Sequence, residues 1–595
     1  MTNWYVSKAG AGAKDGTSVA TAWAYDGVVK GSMAAGDTLY VIGEIRGING
    51  WDPFIDGSAG NYFTLAGYDS TSAIILGPEY ESSVWSGPDA YGAYSIDYSN
   101  DNIWHLAEWT TASGFMSSYS MMVDAGKDPD GDWIAGNFYN NTTTDKLYWK
   151  PLGGTITGKT ATVGAMFEFF VEGTYRKVDG IKTVLLQWAV GIYTSSSYIW
   201  LNNVTATYPG RIRIRNSQGE YGVPNDHIRV SYCDLSYADC GVYSFGQIEA
   251  YDNDYLTIDH NYIHHMTSSG DAHAIGVQGG DNHIIEYNEL AFCNTGITMY
   301  SSIWQSMNNN IIRYNRVHDM EVARGNSTGY GIGYETTNRT ANQCTGNYIH
   351  HNLVYDNEGP GIILKFIDPS NFVYNNTCSG NGTNYYSFPV TTDDNMGGTV
   401  KNNISVNPVY YHFYLSSTSG DFSGFTFSNN LYYPDGAAKF WSSKLGSPYT
   451  TNLSGFVTHV EAFGGTEDDT LTSDPLLIGT YQLGVGSPAI DAGIDWGQSQ
   501  DIIGTTKQGS FWDLGAYEYF ELISQHSFRF INDNGDEDES TFNAGLNANI
   551  TLAPGNKIRV RFLLDTSGDI AGKQFQIEYR RKPSGGEFGG WKKII

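Results

Sequence analysis

Ile258-Asp259-His260-Asn261, Ile285-Glu286-Tyr287-Asn288 and Ile312-Arg313-Tyr314-Asn315 are the same four-residue phrase, written three times at an interval of 27 residues. Val230-Ser231-Tyr232-Cys233-Asp234 precedes them, with Asp234 again 27 residues before Asn261. Asn352, Asn376, Asn403 and Asn430 continue the series at spacings of 37, 24, 27 and 27. Between successive Asn residues the apolar positions alternate over three to five residues, as in Ile297-Thr298-Met299, and no period of 3.6 is present. Short strands joined by tight turns at this interval predict the coils of a parallel β-helix, stacked by backbone hydrogen bonds at roughly 4.8 Å. The repeated Asn is expected at an inward-facing turn. There it would take up the left-handed conformation and bond its amide to the Asn of the next coil. A β-propeller repeats at about 40 to 50 residues, which these spacings do not match. The longest interval carries the polar insertion 321–330.

Outward from the repeat, Trp4-Tyr5-Val6-Ser7, Asp15-Gly16-Thr17-Ser18 and Gly36-Asp37-Thr38-Leu39-Tyr40-Val41 stand near the beginning. Ser487-Pro488-Ala489-Ile490-Asp491-Ala492-Gly493 and Asp513-Leu514-Gly515-Ala516-Tyr517-Glu518 close the repetitive part. With these two ends the chain resembles the right-handed parallel β-helix superfamily of polysaccharide lyases, glycoside hydrolases and viral tailspike-like proteins, over about residues 1–520. The expected fold is all-β: a capping segment at 1–34, a right-handed single-stranded parallel β-helix at 35–520, and a small β-sandwich-like module at 524–595. Leu39–Gly43 and Tyr62–Ala66 read as early rungs, and 115–200 as a less regular stretch with long loops. An uncovered coil end would expose unpaired backbone and invite polymerisation, so the aromatic-rich N-terminal segment is expected to close it. The resemblance implies a polysaccharide partner, an extracellular or virion-associated location, and a monomer or a homotrimer.

Composition narrows the function. The chain has 34 Lys and Arg against 63 Asp and Glu, a formal charge of −29. Residues 1–523 alone hold 24 against 54, about −30, so nucleic acid is an improbable partner. Five Cys without a CxxC pair argue against a disulfide scaffold or structural zinc. No 18-residue apolar run occurs and Met1-Thr2-Asn3-Trp4-Tyr5 carries no secretion signal, so no membrane insertion is expected. Aromatic residues make up 14%, with 43 Tyr and 15 Trp, and suit a surface on which sugar rings stack.

A β-helix packs its interior with side chains, so a substrate must bind outside. Aligning the strands Val242–Phe245, Ile275–Gln278, Ile297–Tyr300, Ile332–Glu335 and Ile362–Lys365 with their first members inward turns the fourth members outward. The result is a column of Phe245, Gln278, Tyr300, Glu335 and Lys365, suited to a sugar-binding cleft. The ordinary alternative is a solvated face with a Glu335–Lys365 ion pair. Glu335 is the preferred catalytic carboxylate, since the 321–330 insertion beside it can shield a proton transfer. A glycosidase needs a second group, and Asp271 is the candidate, in Ser269-Gly270-Asp271-Ala272-His273. A lyase would use Lys365 or His273 as base and Arg324 or Arg313 to neutralise the developing charge. A non-catalytic carbohydrate-binding or adhesion protein is the third reading. Arg211, Arg213 and Arg215 alternate with Ile212 and Ile214, which places three guanidiniums on one strand face for anion recognition. Hydrolysis calls for no cofactor. Asp128, Asp130 and Asp132 have the spacing of oxygen ligands for calcium, though Tyr139 stands where an EF-hand would place its glutamate.

Overall fold

The computed structural model describes residues 1–532 apart from 49–50, 77–78, 98–104, 111–119, 122, 125–133, 136, 142, 165–167, 185–187, 194–195, 208–211, 216–224, 238–241, 246–252, 266–272, 302–305, 323–328, 337–343, 366–368, 388–396, 418–421, 445–446 and 521–522. Beyond 532 it describes 558–566, 578–579 and 592–593. The chain divides into two compact units, Met1–Glu518 and Tyr519–Ile595.

The first unit is a right-handed parallel β-helix. One coil shows the plan: Ile284–Glu286, Glu289–Ala291 and Thr295–Ser301 are three strands of one turn, and the next coil begins at Ile311–Arg313. The coil strands pair in parallel with their counterparts in the next coil, building sheet I of 15 strands (with Ile284–Glu286), sheet II of 12 (with Glu289–Ala291) and sheet III of 12 (with Thr295–Ser301), the last closed by the antiparallel strand Ser447–Thr451. Thr38–Val41 and Phe63–Gly67 are the early rungs expected in sheet I. The core is a continuous interior of stacked Ile, Leu, Val and Phe, including Ile258, Ile285 and Ile312 in sheet I, each 1% exposed or less. Four cysteines, Cys233, Cys293, Cys344 and Cys378, are buried in or beside it.

The Asn ladder is present. Asn261, Asn288, Asn315, Asn352, Asn376 and Asn403 each donate both their backbone N–H and their Nδ2 to the Oδ1 of the next Asn, ending at Asn430. Two details correct the sequence reading. The ladder position in the preceding coil is Cys233, whose N–H donates to Asn261 Oδ1, while Asp234 begins the next strand and pairs with Tyr262. The left-handed residue is the one before each ladder position: Tyr232, His260, Tyr287, Tyr314 and His351 have φ between 52° and 57°. The inward Asn keeps the amides satisfied, and its predecessor makes the bend. Shorter ladders occupy the other two corners, through Asn310, Asn347 and Asn371, and through Asn357 and Asn381.

A left-handed conformation costs a non-glycine residue about 1–2 kcal/mol. At the corners it turns the side chain outward, where aromatic rings stack from coil to coil. Tyr175, Tyr198, His227 and Tyr255 follow one another at 4.5, 4.6 and 4.7 Å. Tyr232, His260, Tyr287 and Tyr314 do so at 4.7, 4.9 and 4.8 Å. At about 0.5–1.5 kcal/mol per ring pair, stacking offsets much of the backbone cost. These rings stack face to face with one another along the corner, and Tyr232 and Tyr255 are also exposed.

The irregular stretch also differs from the expectation. The described strands between Glu79 and Gly164 form two four-stranded sheets around Trp85, Phe138, Leu147 and Trp149, inserted between strands of the helix. Regular coils resume at Thr174–Asp179 and Ser197–Asn202. At the first end of sheet I, Trp23, in the outermost strand, stacks on Trp4 at 5.0 Å. At the other end the helix Leu453–Ala462, capped by Asn452, buries Phe456 against Phe440, Phe413 and Phe427.

After the last coil, residues 481–518 turn back along the outside. Trp496 Nε1 donates to Asn375 Oδ1 at 2.9 Å, and Gln500 Nε2 to the Tyr287 hydroxyl at 2.6 Å. Asn375 Nδ2 donates to Asp513 O, Ile494 N to Asn402 Oδ1 and Ala516 N to Thr377 Oγ1. The two closing motifs therefore form a strap over earlier coils. In the second unit, Ile523–Asn532 pairs antiparallel with Ile558–Thr566, and Glu578–Tyr579 with Lys592–Lys593.

Candidate functional site

Sheet III carries the candidate residues. Ile275, Val277, Ile297, Met299, Ile332 and Tyr334 point inward and are at most 1% exposed. The alternate residues Gln278, Tyr300 and Glu335 are half-buried on the outer side. The register is continuous: Phe245 pairs with Gln278, Gln278 with Tyr300, Tyr300 with Glu335 and Glu335 with Lys365. Neighbouring positions in this row are therefore one coil apart, about 4.8 Å. For Phe245 and Lys365 the structure describes the backbone alone.

The row extends upstream through Arg215, which pairs with Phe245, while Arg213 pairs with Tyr243 in the parallel row two residues away. Ile212 and Ile214 between them are fully buried. The side chains of Arg213 and Arg215 lie outside the described parts, as do Arg211, Arg324, Asp271 and the candidate calcium ligands Asp128, Asp130 and Asp132. Among the described residues no group of three His, Cys, Asp or Glu is placed to share a metal ion. No described helix is long and apolar enough to cross a membrane.

His273 begins the strand His273–Gln278 and approaches the same face from its edge. Its Nδ1 is 2.8 Å from Thr298 Oγ1, and that hydroxyl is 2.9 Å from the Tyr330 hydroxyl. Thr298 occupies the row of Gly276 and Gly333, two residues from the row of Gln278, Tyr300 and Glu335. The structure thus brings His273 to the outer face of the sheet that carries Tyr300 and Glu335. Arg313 instead donates to Glu286 at 2.6 Å on sheet I, and Arg229 binds Asp259 through two bonds of 2.8 Å. These are ion pairs between adjacent coils.

The row of Thr298 and Gly333 also carries Tyr414 and Trp441 at its far end. They are 27 residues apart and stack at 3.8 Å with planes 3° apart. The coil interval connects them in the sequence, but the reading of aromatic content alone did not. Tyr330 was likewise missed as a site residue: it lies 32 residues from Thr298 and follows the strand pattern of no coil.

No protein-family profile matches the sequence, and no curated protein does. Among solved structures, the chain is similar to pectate lyase Pel9A, with 13% identity over 87% of this chain and 97% of that one, at a TM-score of 0.43. XylC, solved in complex with xylose, has 11% identity over 87% and 98%, at 0.48. PfbA, a surface adhesin of Streptococcus pneumoniae, has 10% identity over 65% and 86%, at 0.37.

Proposed function

We propose that the chain depolymerises a polysaccharide by hydrolysis on the outer face of sheet III, with Glu335 protonating the leaving oxygen. The observation that carries this reading is the in-register row of Gln278, Tyr300 and Glu335. An amide, a phenol and a carboxyl follow one another at the coil spacing on a rigid floor, and sugar hydroxyls demand such mixed donors and acceptors. Glu335 is half-buried on the outer side of the sheet. The acidic body disfavours a densely anionic polymer, so the substrate class is a neutral or weakly charged glycan. Asp271, two residues before His273, is the proposed second carboxylate that activates water.

Incubation with a panel of bacterial and algal polysaccharides, followed by mass spectrometry, tests the proposal. Products that have gained water support it. Unsaturated products identify elimination, with Lys365 or His273 as base, and binding without cleavage identifies an adhesion protein; either result overturns hydrolysis.

A further inference from the structure

Thr298 and Tyr300 stand on the outer side of one strand, two residues and about 7 Å apart. The Thr298 hydroxyl lies between two partners, His273 Nδ1 at 2.8 Å and the Tyr330 hydroxyl at 2.9 Å. Tyr330 reaches this place because Gly333, the register partner of Thr298, has no side chain. A Cβ at Gly333 would lie 2.5 Å from Tyr330 Cε2 and 3.2 Å from its hydroxyl oxygen. The phenol ring therefore fills the outer space that residue 333 leaves open, one strand position from the row of Tyr300 and Glu335. Tyr330 and Thr298 are each 7% exposed, whereas His273 is half-buried.

A hydroxyl has one proton, so Thr298 donates to one neighbour and accepts from the other. The phenol, with an ordinary pKa of about 10, is a far stronger acid than an aliphatic alcohol and the better donor. The favoured order is therefore Tyr330 O–H to Thr298, and Thr298 O–H to His273 Nδ1. An Nδ1 that accepts leaves the ring proton on Nε2.

We propose that Tyr330, acting through Thr298, holds His273 as the neutral Nε2–H tautomer, a hydrogen-bond donor to an oxygen of the bound glycan. His273 then serves recognition beside the row and is not the base of an elimination. Tyr330 and Thr298 are positioning residues. The assignment of the glycan as acceptor rests on the proposed function, whereas the tautomer does not depend on it.

The test uses the full chain with ¹⁵N-labelled histidine at pH 7.5. Long-range ¹H–¹⁵N correlation distinguishes the two neutral tautomers from the cation, and His273→Gln identifies the signal by its loss. The unaltered protein is expected to show the Nε2–H pattern. Tyr330→Phe, which keeps the ring over Gly333, and Thr298→Val should each move the signal toward a mixture of tautomers, and Thr298→Ser should restore it. An Nδ1–H or cationic pattern in the unaltered protein overturns the proposal, as does a pattern that neither Tyr330→Phe nor Thr298→Val moves. On a polymer that is cleaved, Tyr330→Phe should raise KM several-fold and leave kcat within about twofold; an unchanged KM overturns the recognition role. Absence of any cleaved or bound polymer removes the proposed function and the recognition role with it, while the tautomer signal still decides what Tyr330 does to His273.

Discussion

Asn288 and Asn315 are joined twice across one coil: a single Oδ1 of Asn315 accepts from the Asn288 backbone N–H at 3.0 Å and from its Nδ2 at 2.9 Å. Asn288 Nδ2 also donates to Ile258 O at 2.9 Å, and Asn288 Oδ1 receives the corresponding pair from Asn261. One amide thus satisfies buried groups in three coils. Replacing Asn288 with Leu leaves several of them without partners, at roughly 1–3 kcal/mol for an unsatisfied group. We expect at least about 2 kcal/mol of destabilisation by chemical denaturation. A loss within experimental error would mean that the ladder is not what holds this corner.

Glu335→Gln keeps the size and the hydrogen-bonding shape of the side chain but cannot donate the required proton. Turnover of an active polymer should fall by roughly 100-fold or more, with thermal stability and polymer binding retained. Nearly unaltered turnover would remove Glu335 from the chemistry and direct attention to Asp271. Lys365→Met separates the alternatives: a neighbour that tunes the acid shifts the pH profile, whereas loss of a lyase base abolishes cleavage at every pH.

Stability should peak near pH 6.5. Burial pushes the imidazoles of His283, His351 and His412 down, to about 4, about 3 and about 4. The unfolded chain takes up protons on them below 6.5, so their contribution is complete above that pH and is lost toward acid. Burial pushes the carboxyls of Glu467 and Glu518 up to about 8. Both hold their protons in the folded state, so their contribution is present below 4.5 and is lost as pH rises through 8. Between 4.5 and 6.5 three histidines outweigh two glutamates, and above 6.5 the glutamates act alone. Denaturation midpoints at pH 5, 6.5 and 8 check this; a steady rise from 6.5 to 8 would contradict it.

Two glycines with similar backbone should respond differently to alanine. Gly43 and Gly280 have φ of 62° and 94°. A Cβ at Gly43 meets nothing within 4 Å, while one at Gly280 would lie 1.8 Å from Asn253 O and 2.5 Å from His283 Nε2. Gly43→Ala should cost about 1–2 kcal/mol from backbone conformation alone, and Gly280→Ala more than about 3 kcal/mol. Equal losses in urea melts would show that the close approach relaxes freely.

The Asn ladder was readable because it follows from a repeat: a residue that must meet its counterpart one turn later recurs at the length of the turn. Gln278, Tyr300 and Glu335 stand 22 and 35 residues apart and were aligned instead by the apolar alternation of their strands, whose inward members fix the outward ones. Asp234 was placed one residue off because its coil is 28 residues long from Cys233 to Asn261 and has a sulfur where the others have an amide. Residues 115–200 read as a less regular stretch with long loops, and the sheets that begin at Glu79 were not seen, because their strands pair within the insertion and obey no coil length. The contact between Tyr330 and Thr298 was hidden for another reason: it depends on the side chain that Gly333 lacks, and an empty volume leaves no periodic mark.

The strap also decides how the solenoid carries tension. A stacked array is weakest when pulled from its last turn, since each coil holds only its neighbours and can peel away in sequence. A pull on Glu518, however, reaches the helix through Asp513, Ala516 and Ile494, which are bonded to Asn375, Thr377 and Asn402. These anchors lie below the final coil at Leu431–Tyr433. Load from the C-terminal side is therefore delivered as shear across several bonds in the body of the stack, and the strap has to tear before the terminal coil can unwind.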